Sequence, residues 1–190
     1  MLRRVYDECE DWRKKVKKRI RKTTPAVVFV GSSRDYELWD NGRAWQTREV
    51  YPYWQGQLTE LVEDLGTKAE RVVLLAETPF LNFDPIDCLA DKNVSSCDPP
   101  TRLVVDGDYA ALEADAADAG GAAVLSVNEL LCPGRSCPVV VDGTVVFRDK
   151  HHVTASYMER LSKPIGNLLE GRAPYPSPDP SADVEAQPAS

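Results

Sequence analysis

Short apolar runs alternate along the chain with segments whose apolar positions recur every three or four residues. The runs predict buried strands at residues 26–30, 71–76 and 122–127, and the periodic segments predict helices at 5–21, 50–66, 106–119 and 154–169. Strands that are apolar throughout and are separated by helices indicate a parallel sheet covered on both faces. The predicted fold class is therefore α/β.

Three local signals refine these elements. The first helix carries an apolar stripe that is predicted to be buried, made of Val5, Cys9, Trp12, Val16 and Ile20. Asp142-Gly143 between two valine-rich runs predicts a tight hairpin. Pro164 is expected to kink or divide the last helix, because proline cannot donate a backbone hydrogen bond.

The length of 190 residues suits one domain, which we place at residues 1–171. Residues 172–190 are rich in Pro, Ser, Ala and Asp and have no core residues to bury, so a disordered tail is expected there. The sequence contains neither a signal-peptide pattern nor an apolar run long enough to cross a bilayer.

Charge is unevenly distributed along the chain. The net charge is −7, yet residues 1–22 carry ten Lys and Arg against four acids, which gives +6 there and −13 in the remainder. A basic segment can bind nucleic acid or anionic lipid. The apolar stripe instead favours a packed helix with a solvated basic face, and the acidic remainder argues against a nucleic-acid partner.

The five cysteines form two local pairs and one single residue. Cys88 and Cys97, and likewise Cys132 and Cys137, bracket short loops, which favours two disulfides formed in an oxidising compartment. A zinc site would favour cysteine pairs with two intervening residues. These pairs have eight and four intervening residues, so no metal site is predicted. Cys9 is left over, which suggests a partner elsewhere, for example upstream of residue 1.

The strongest chemical signal is Asp149-Lys150-His151-His152, between a predicted strand and the last helix. An Asp three residues before a His can hold the imidazole in one tautomer, as in the catalytic triad of a hydrolase or acyltransferase. This spacing selects His152 rather than His151 as the base. A surface ion pair is the alternative interpretation.

Two further groups admit a functional interpretation. Ser32 or Ser33, at the end of the first strand, could be a nucleophile, although a simple strand-end turn explains them as well. An aromatic cluster after that strand could stack on sugars, although core and loop packing is the simpler interpretation. Its members are Tyr36, Trp39, Trp45, Tyr51, Tyr53 and Trp54.

An ordered set of motifs over about residues 5–170 resembles the SGNH-type hydrolase domain found at the C-terminus of membrane acyltransferase-3 proteins, which O-acylate bacterial cell-envelope polysaccharides. The motifs are Cys9-x-x-Trp12, Pro25 with the strand to Gly31, Val72 to Pro79, Asp87-Cys88-Leu89 with Cys97, Cys132 to Cys137, Phe147-Arg148-Asp149 and His152-Val153-Thr154-x-x-Tyr157. The resemblance implies a flavodoxin-like three-layer sandwich without a cofactor, in which Asp149 and His152 are the acid and base of the triad.

The family's nucleophile is the serine of a Gly-Asp-Ser-His block, which this sequence lacks. By the resemblance this serine is expected upstream of residue 1, in the missing first part of the domain. The resemblance also implies a membrane acyltransferase portion further upstream, which would tether the domain at the extracytoplasmic face of the membrane. The implied substrate is an acyl-bearing glycan. Gly31 and Ser33 are the oxyanion candidates, since Ser33 or Arg34 stands near the family's oxyanion-binding Asn. The alternative is a non-catalytic module that binds a glycan or a membrane partner.

Overall fold

The computed structural model of the chain describes residues 7–35, 38–40 and 42–175. The helices are α1 (Asp7–Thr23), α2 (Thr47–Gly66), α3 (Pro85–Asp91), α4 (Thr101–Val104), α5 (Gly107–Gly120), α6 (Asn128–Leu131) and α7 (Ala155–Leu169), with a 3-10 turn at Val94–Cys97. The strands are β1 (Val27–Gly31), β2 (Trp39–Asp40), β3 (Arg43–Ala44), β4 (Arg71–Leu75), β5 (Ala123–Leu125), β6 (Val140–Val141) and β7 (Thr144–Val145).

Three of the strands form the parallel sheet that the apolar runs predicted. Its order is β1-β4-β5, so β4 is central and β1 lies at one edge. Phe29 of β1 stands opposite Val73 of β4, which stands opposite Ala123 of β5. The middle of β4 is fully buried, because a central parallel strand is covered on both faces. The α/β fold class is confirmed.

Helices α2 and α5 pack against this sheet and form the sheet core. From α2 come Leu58, Val62 and Leu65, and from α5 come Leu112 and Ala116. The two helices approach closely at Gly120, where an added Cβ would lie 2.7 Å from Cγ1 of Val62. Helix α5 is capped at both ends: the Asp106 carboxylate accepts the N–H groups of Asp108 and Tyr109, and Gly121 adopts a φ of 74°.

The prediction of a buried stripe on α1 is wrong. Trp12 is 63% exposed, Cys9 and Val16 are only half-buried, and no described residue of α1 is buried. The helix is attached near its C-terminal end, where Ile20 packs against the sheet core and Lys17 pairs with Asp64 at 3.2 Å. The stripe therefore meets a covering surface at one end only. Val5 lies outside the described residues.

A second apolar cluster, the hairpin core, lies beside the sheet core. It joins both cysteine pairs to the β6–β7 hairpin and to α7, through Phe147, Tyr157 and Leu161. Asp142 and Gly143 form the predicted hairpin turn with φ of 47° and 73°. Helix α7 continues unbroken through Pro164, so the proline does not divide it.

Both predicted disulfides are present, Cys88–Cys97 and Cys132–Cys137. Cys9 is a free thiol among the described cysteines. In the part of the chain that the structure describes, no helix is both long and apolar enough to cross a membrane. Residues 176–190, most of the expected tail, lie outside that part.

Removing the Cys88–Cys97 bond should destabilise the fold measurably. The bond closes a loop with a sequence separation of 9 residues. Freeing such a loop in the unfolded chain should lower the free energy of unfolding by about 3 kcal/mol. Urea unfolding of the double variant Cys88→Ala/Cys97→Ala checks this, with Cys9→Ala as the control. An unchanged transition midpoint would contradict a structural role for this bond.

Candidate active site

The loop between β7 and α7, here called the histidine loop (residues 148–152), is organised by Asp149. Its Oδ1 accepts the backbone N–H groups of His151 and His152 at 3.1 and 2.9 Å. The same carboxylate lies 2.8 Å from Nδ1 of His152. Nδ1–H is thereby paired with the carboxylate, and Nε2 is the ring nitrogen that can accept a proton.

These contacts also set the charge of Asp149. The His151 N–H group first, and then the ring and N–H of His152, hold the pKa of Asp149 well below its usual range. Its carboxylate therefore stays ionised at mildly acidic pH, and it can stabilise an imidazolium at His152. The His152 side chain is 52% exposed, so its ring is accessible to a reacting group.

The histidine loop is fixed on both sides. The Arg148 N–H donates to the His152 carbonyl at 2.8 Å, just after the buried Phe147. Thr154 then caps α7 by accepting the Tyr157 N–H. The segment that follows β4 is also joined to the loop, because the Leu81 N–H donates to the Lys150 carbonyl at 2.6 Å. The buried Phe147 before the loop and the Thr154 cap after it thus hold Asp149 and His152 in place.

Phe80 connects the histidine loop to the carboxyl ends of the strands. Its ring stacks on His151 with centroids 5.2 Å apart and an interplanar angle of 14°. The Arg34 guanidinium, which follows β1, lies 5.9 Å from the centroid of the same ring. His151 is thus a stacking residue beside His152, rather than a second partner of Asp149 through its ring.

Arg34 is the centre of a set of hydrogen bonds that we call the strand-end network. Its Nε lies 3.1 Å from Oε2 of Glu77, after β4, and its Nη1 lies 2.8 Å from Oδ2 of Asp106, before α5. Tyr51 of α2 donates its hydroxyl to Asp106 at 2.9 Å. The Arg34 guanidinium therefore connects the segments that follow β1 and β4 to the start of α5, and Asp106 extends this connection to α2.

Titration in this network follows from burial and pairing. Burial first, and then the Asp106 carboxylate, raises the pKa of Tyr51 to about 12. Burial acts to raise the pKa of Asp106, but the bonds from Tyr109, Tyr51 and Arg34 outweigh it and lower that pKa. Tyr51 therefore remains a donor and Asp106 an acceptor at neutral pH.

A buried carboxyl group lies beneath this network. Glu113 of α5 is 1% exposed, and it accepts the Ser32 hydroxyl at 2.8 Å and the Glu77 N–H at 3.0 Å. Tyr109 in turn donates its hydroxyl to Ser32 at 3.0 Å. Burial raises the pKa of Glu113, against the hydrogen bonds that favour its ionised form.

This pKa shift predicts a pH dependence of stability that Glu113→Gln should remove. On raising the pH, the unfolded chain loses the Glu113 proton near the ordinary pKa of about 4.3, whereas the folded chain retains it to a higher pH. The free energy of unfolding therefore falls with rising pH between those two values. In Glu113→Gln, which has no carboxyl group at this position, the contribution of Glu113 to this decrease in unfolding free energy should be absent. Denaturant unfolding measures it.

The comparison is the difference in unfolding free energy between variant and wild type from pH 4 upward. That difference should move in favour of Glu113→Gln as the pH rises. A difference that is constant with pH, or that moves the other way, would show that the folded chain does not raise this pKa. Asp115→Asn, at an exposed position of the same helix, is the control.

Both serines that follow β1 donate hydrogen bonds to carboxylates. Ser32 donates to Glu113, and Ser33 donates to Oε1 of Glu77 at 3.2 Å. Among the described residues, no hydrogen bond joins either serine to His152. The oxyanion candidates Gly31 and Ser33 lie at the end of β1, and their role stays a prediction.

A cavity of about 340 Å³ opens between the strand-end network and the start of α2. Its lining includes three aromatic side chains and two charged ones, and consists of Arg34, Asp35, Trp45, Thr47, Val50, Tyr51 and Phe80. Two residues of the predicted aromatic cluster thus line one space. Trp45 also contacts Tyr53 edge to face with centroids 5.2 Å apart. Tyr36 lies outside the described residues.

One group of described side chains has the spacing of metal ligands. Asp149, His151 and His152 each offer one ligand atom, and these atoms lie within 4.8 Å of one another. An ion there would compete with His152 for the Asp149 carboxylate, which already accepts three hydrogen bonds. In the structure, the carboxylate instead orients the imidazole of His152.

Several residues of the site escaped the sequence analysis. Glu113 lies in an alanine-rich helix, but it follows Tyr109 by four residues and so shares that residue's buried face. The four-residue spacing from Tyr109 was the sequence signal that could have predicted the burial of Glu113. Arg34, Glu77 and Asp106 belong to three separate loops, and Phe80 had no distinguishing pattern, so only their packing brings them together.

The parallel sheet with helices packed against it places the chain in the α/β class of folds. The chain belongs to the family of SGNH domains fused to AT3 domains, whose family model matches residues 1–166. It is thus an acyltransferase-associated SGNH module. Its two disulfides and this fusion fit an extracytoplasmic domain.

A solved structure supports the fold. The chain is similar to the periplasmic domain of a lipopolysaccharide acetyltransferase from Salmonella ser. Paratyphi A, with a TM-score of 0.60 and 14% sequence identity. The match covers 83% of this chain and 61% of that domain, so the chain spans less than two thirds of its neighbour. None of the curated proteins compared with the chain matches it.

Proposed function

We propose that the chain is the C-terminal part of an SGNH-type O-acyltransferase or esterase domain that modifies cell-envelope polysaccharide. In this proposal, His152 and Asp149 serve a serine nucleophile that lies upstream of the chain. The observation that carries the proposal is the Asp149 carboxylate 2.8 Å from Nδ1 of His152, which leaves Nε2 to act as base.

The proposed reaction proceeds in two transfers. Nε2 of His152 takes the proton of the serine hydroxyl while the serine oxygen bonds to the carbonyl carbon of the acyl donor. The resulting oxyanion collapses, the bond to the leaving group breaks, and the leaving group receives the proton from His152. A sugar hydroxyl then attacks the acyl-serine in the same way, giving the acylated sugar and free serine. Water in place of the sugar gives hydrolysis.

The edge of the sheet supports an upstream position for the serine. Among the described residues, none pairs with the outer edge of β1, and its Val27 and Phe29 are 40% and 50% exposed. An exposed apolar edge strand favours pairing with a further strand. A parallel strand added there would end beside Ser32 and Ser33, where the loops after parallel strands form active sites.

Labelling with a serine-reactive fluorophosphonate tests the proposal. We expect the native protein, purified from cells, to be labelled at one serine in a Gly-Asp-Ser segment upstream of Met1. His152→Gln should prevent the labelling, whereas the adjacent His151→Gln should retain it. Peptide mapping locates the label, and a label on Ser32 or Ser33, or labelling that survives His152→Gln, would contradict the proposal.

The alternative is a non-catalytic module that binds a glycan or a membrane partner, and the aromatic lining of the cavity favours the glycan. In that case glycan affinity should survive loss of His152, and no form of the protein should transfer or hydrolyse an acyl ester. Acyl release from a chromogenic ester by the native protein separates the two functions.

A further inference from the structure

The aromatic cavity is connected to the histidine loop through Phe80, and the proposed function assigns it no ligand. Its lining combines the aromatic side chains of Trp45, Tyr51 and Phe80 with the polar side chains of Asp35 and Thr47. Aromatic faces pack against the C–H faces of sugar rings, and polar groups at the rim bind their hydroxyls. A volume of about 340 Å³ is at the small end of ligand pockets, so it suits one sugar unit.

The position of the cavity places a bound sugar near the imidazole. Phe80 lines the cavity, and the same ring stacks on His151 at 5.2 Å. His151 lies next to His152, with ring centroids 4.2 Å apart. The cavity and the proposed base are therefore separated by two stacked rings, a distance that one sugar unit and its neighbour in a polysaccharide can span.

The charges of the cavity select among sugars. Arg34 is the cation of the lining, but both Glu77 and Asp106 are paired with it. Asp35 adds a further carboxylate to the lining and, in the described part of the chain, has no ion-pair partner. Glu77 and Asp106 do not line the cavity, but they lie within 3.1 Å of the Arg34 guanidinium that does. The four groups together carry an excess of negative charge, which repels a carboxylate or phosphate on the ligand.

We propose that this cavity is the acceptor subsite and that it binds one uncharged sugar unit while excluding uronic acids and phosphorylated sugars. The inference rests on the proposed function, because it takes the acceptor to be a polysaccharide. Trp45 supplies the stacking face, and Asp35 accepts sugar hydroxyls and repels anionic ligands.

Binding measurements test the subsite without requiring turnover. Calorimetry on the native protein would use two probes, a neutral hexose oligosaccharide and the matching oligosaccharide that carries a uronic acid. We expect saturable binding of the neutral probe and at least roughly tenfold weaker binding of the acidic one. Trp45→Ala should weaken neutral binding about tenfold, and Trp45→Phe should weaken it less.

Two control variants make the result specific. Trp12→Ala removes an exposed indole from α1, outside the cavity, and should leave affinity unchanged. Asp35→Asn should bring the affinity for the acidic probe closer to that for the neutral one. Equal binding of both probes, or unchanged neutral affinity in both Trp45 variants, would overturn the subsite.

A further variant distinguishes failure of the subsite from failure of the proposed function. His152→Gln should bind the neutral probe with wild-type affinity, because His152 does not line the cavity. If His152→Gln keeps full turnover while Trp45→Ala loses binding, the subsite stands and the catalytic proposal fails. If His152→Gln abolishes turnover and neither probe binds, the catalytic proposal stands and the subsite fails.

Discussion

Replacing His152 with alanine should reduce acyl transfer by the native protein by a factor of roughly 10⁴, with little change in folding. Nε2 of His152 is the proposed proton acceptor, and general base catalysis of this kind contributes factors of up to about 10⁴. The side chain is exposed, so its removal leaves no cavity in the hairpin core. Measurement of kcat with a soluble acyl ester or acyl donor checks this prediction.

Asp149→Asn should lower kcat by a similar factor of roughly 10⁴, because the amide carries no charge to stabilise the imidazolium and its N–H group facing Nδ1 favours the wrong tautomer of His152. His151→Ala is the matched control and should leave kcat within about threefold of wild type. Full activity of His152→Ala would show that Asp149 and His152 are not catalytic and form only a surface ion pair.

Arg34→Ala should lower the free energy of unfolding by about 3 kcal/mol, the typical cost of breaking a largely buried ion pair from one side. The Arg34 side chain is only 20% exposed and pairs with two carboxylates, Glu77 and Asp106. Without it, both carboxylates stay in a partly desolvated site without their cation. Denaturant unfolding at neutral pH measures the deficit.

The matched control is Arg13→Ala on α1. Arg13 is 53% exposed and pairs with Glu10 at 3.1 Å, so its loss should change stability by no more than about 0.5 kcal/mol. The deficit of Arg34→Ala should also shrink on acidification, because Arg34 helps to lower the pKa of Asp106 and the unpaired Asp106 carboxylate takes up a proton more readily. A deficit as small as that of Arg13→Ala would show that the strand-end network does not depend on its cation.

The elements of the fold were predictable wherever one local signal decided them. The strand at Arg71–Leu75 is a run of apolar residues, and the hairpin turn depends on Asp142-Gly143. Helix α1 was predicted correctly as a helix but not in its burial, because periodicity reports which residues share a face and not what covers that face. Burial of Trp12 would require a surface that the described residues do not supply.

The site was predictable to the extent that its residues are close in sequence. Asp149 and His152 are three residues apart, and their contact follows from one turn. The strand-end network joins Arg34 to Glu77 and Asp106, which are 43 and 72 residues further along the chain. Such contacts follow from the order of strands in the sheet, so sequence spacing alone gives no indication of them.

Phe80 limits how the specificity of this domain can change. Its ring packs against His151 on the histidine loop, lies near Arg34 and also lines the aromatic cavity. A substitution at Phe80 that suited a new ligand would also alter the surroundings of the imidazole. The opposite wall, formed by Trp45, Thr47 and Val50, has no such second role among the described contacts with the histidine loop. Divergence among related domains toward new acceptors should therefore concentrate in that wall, while the residue at position 80 stays aromatic.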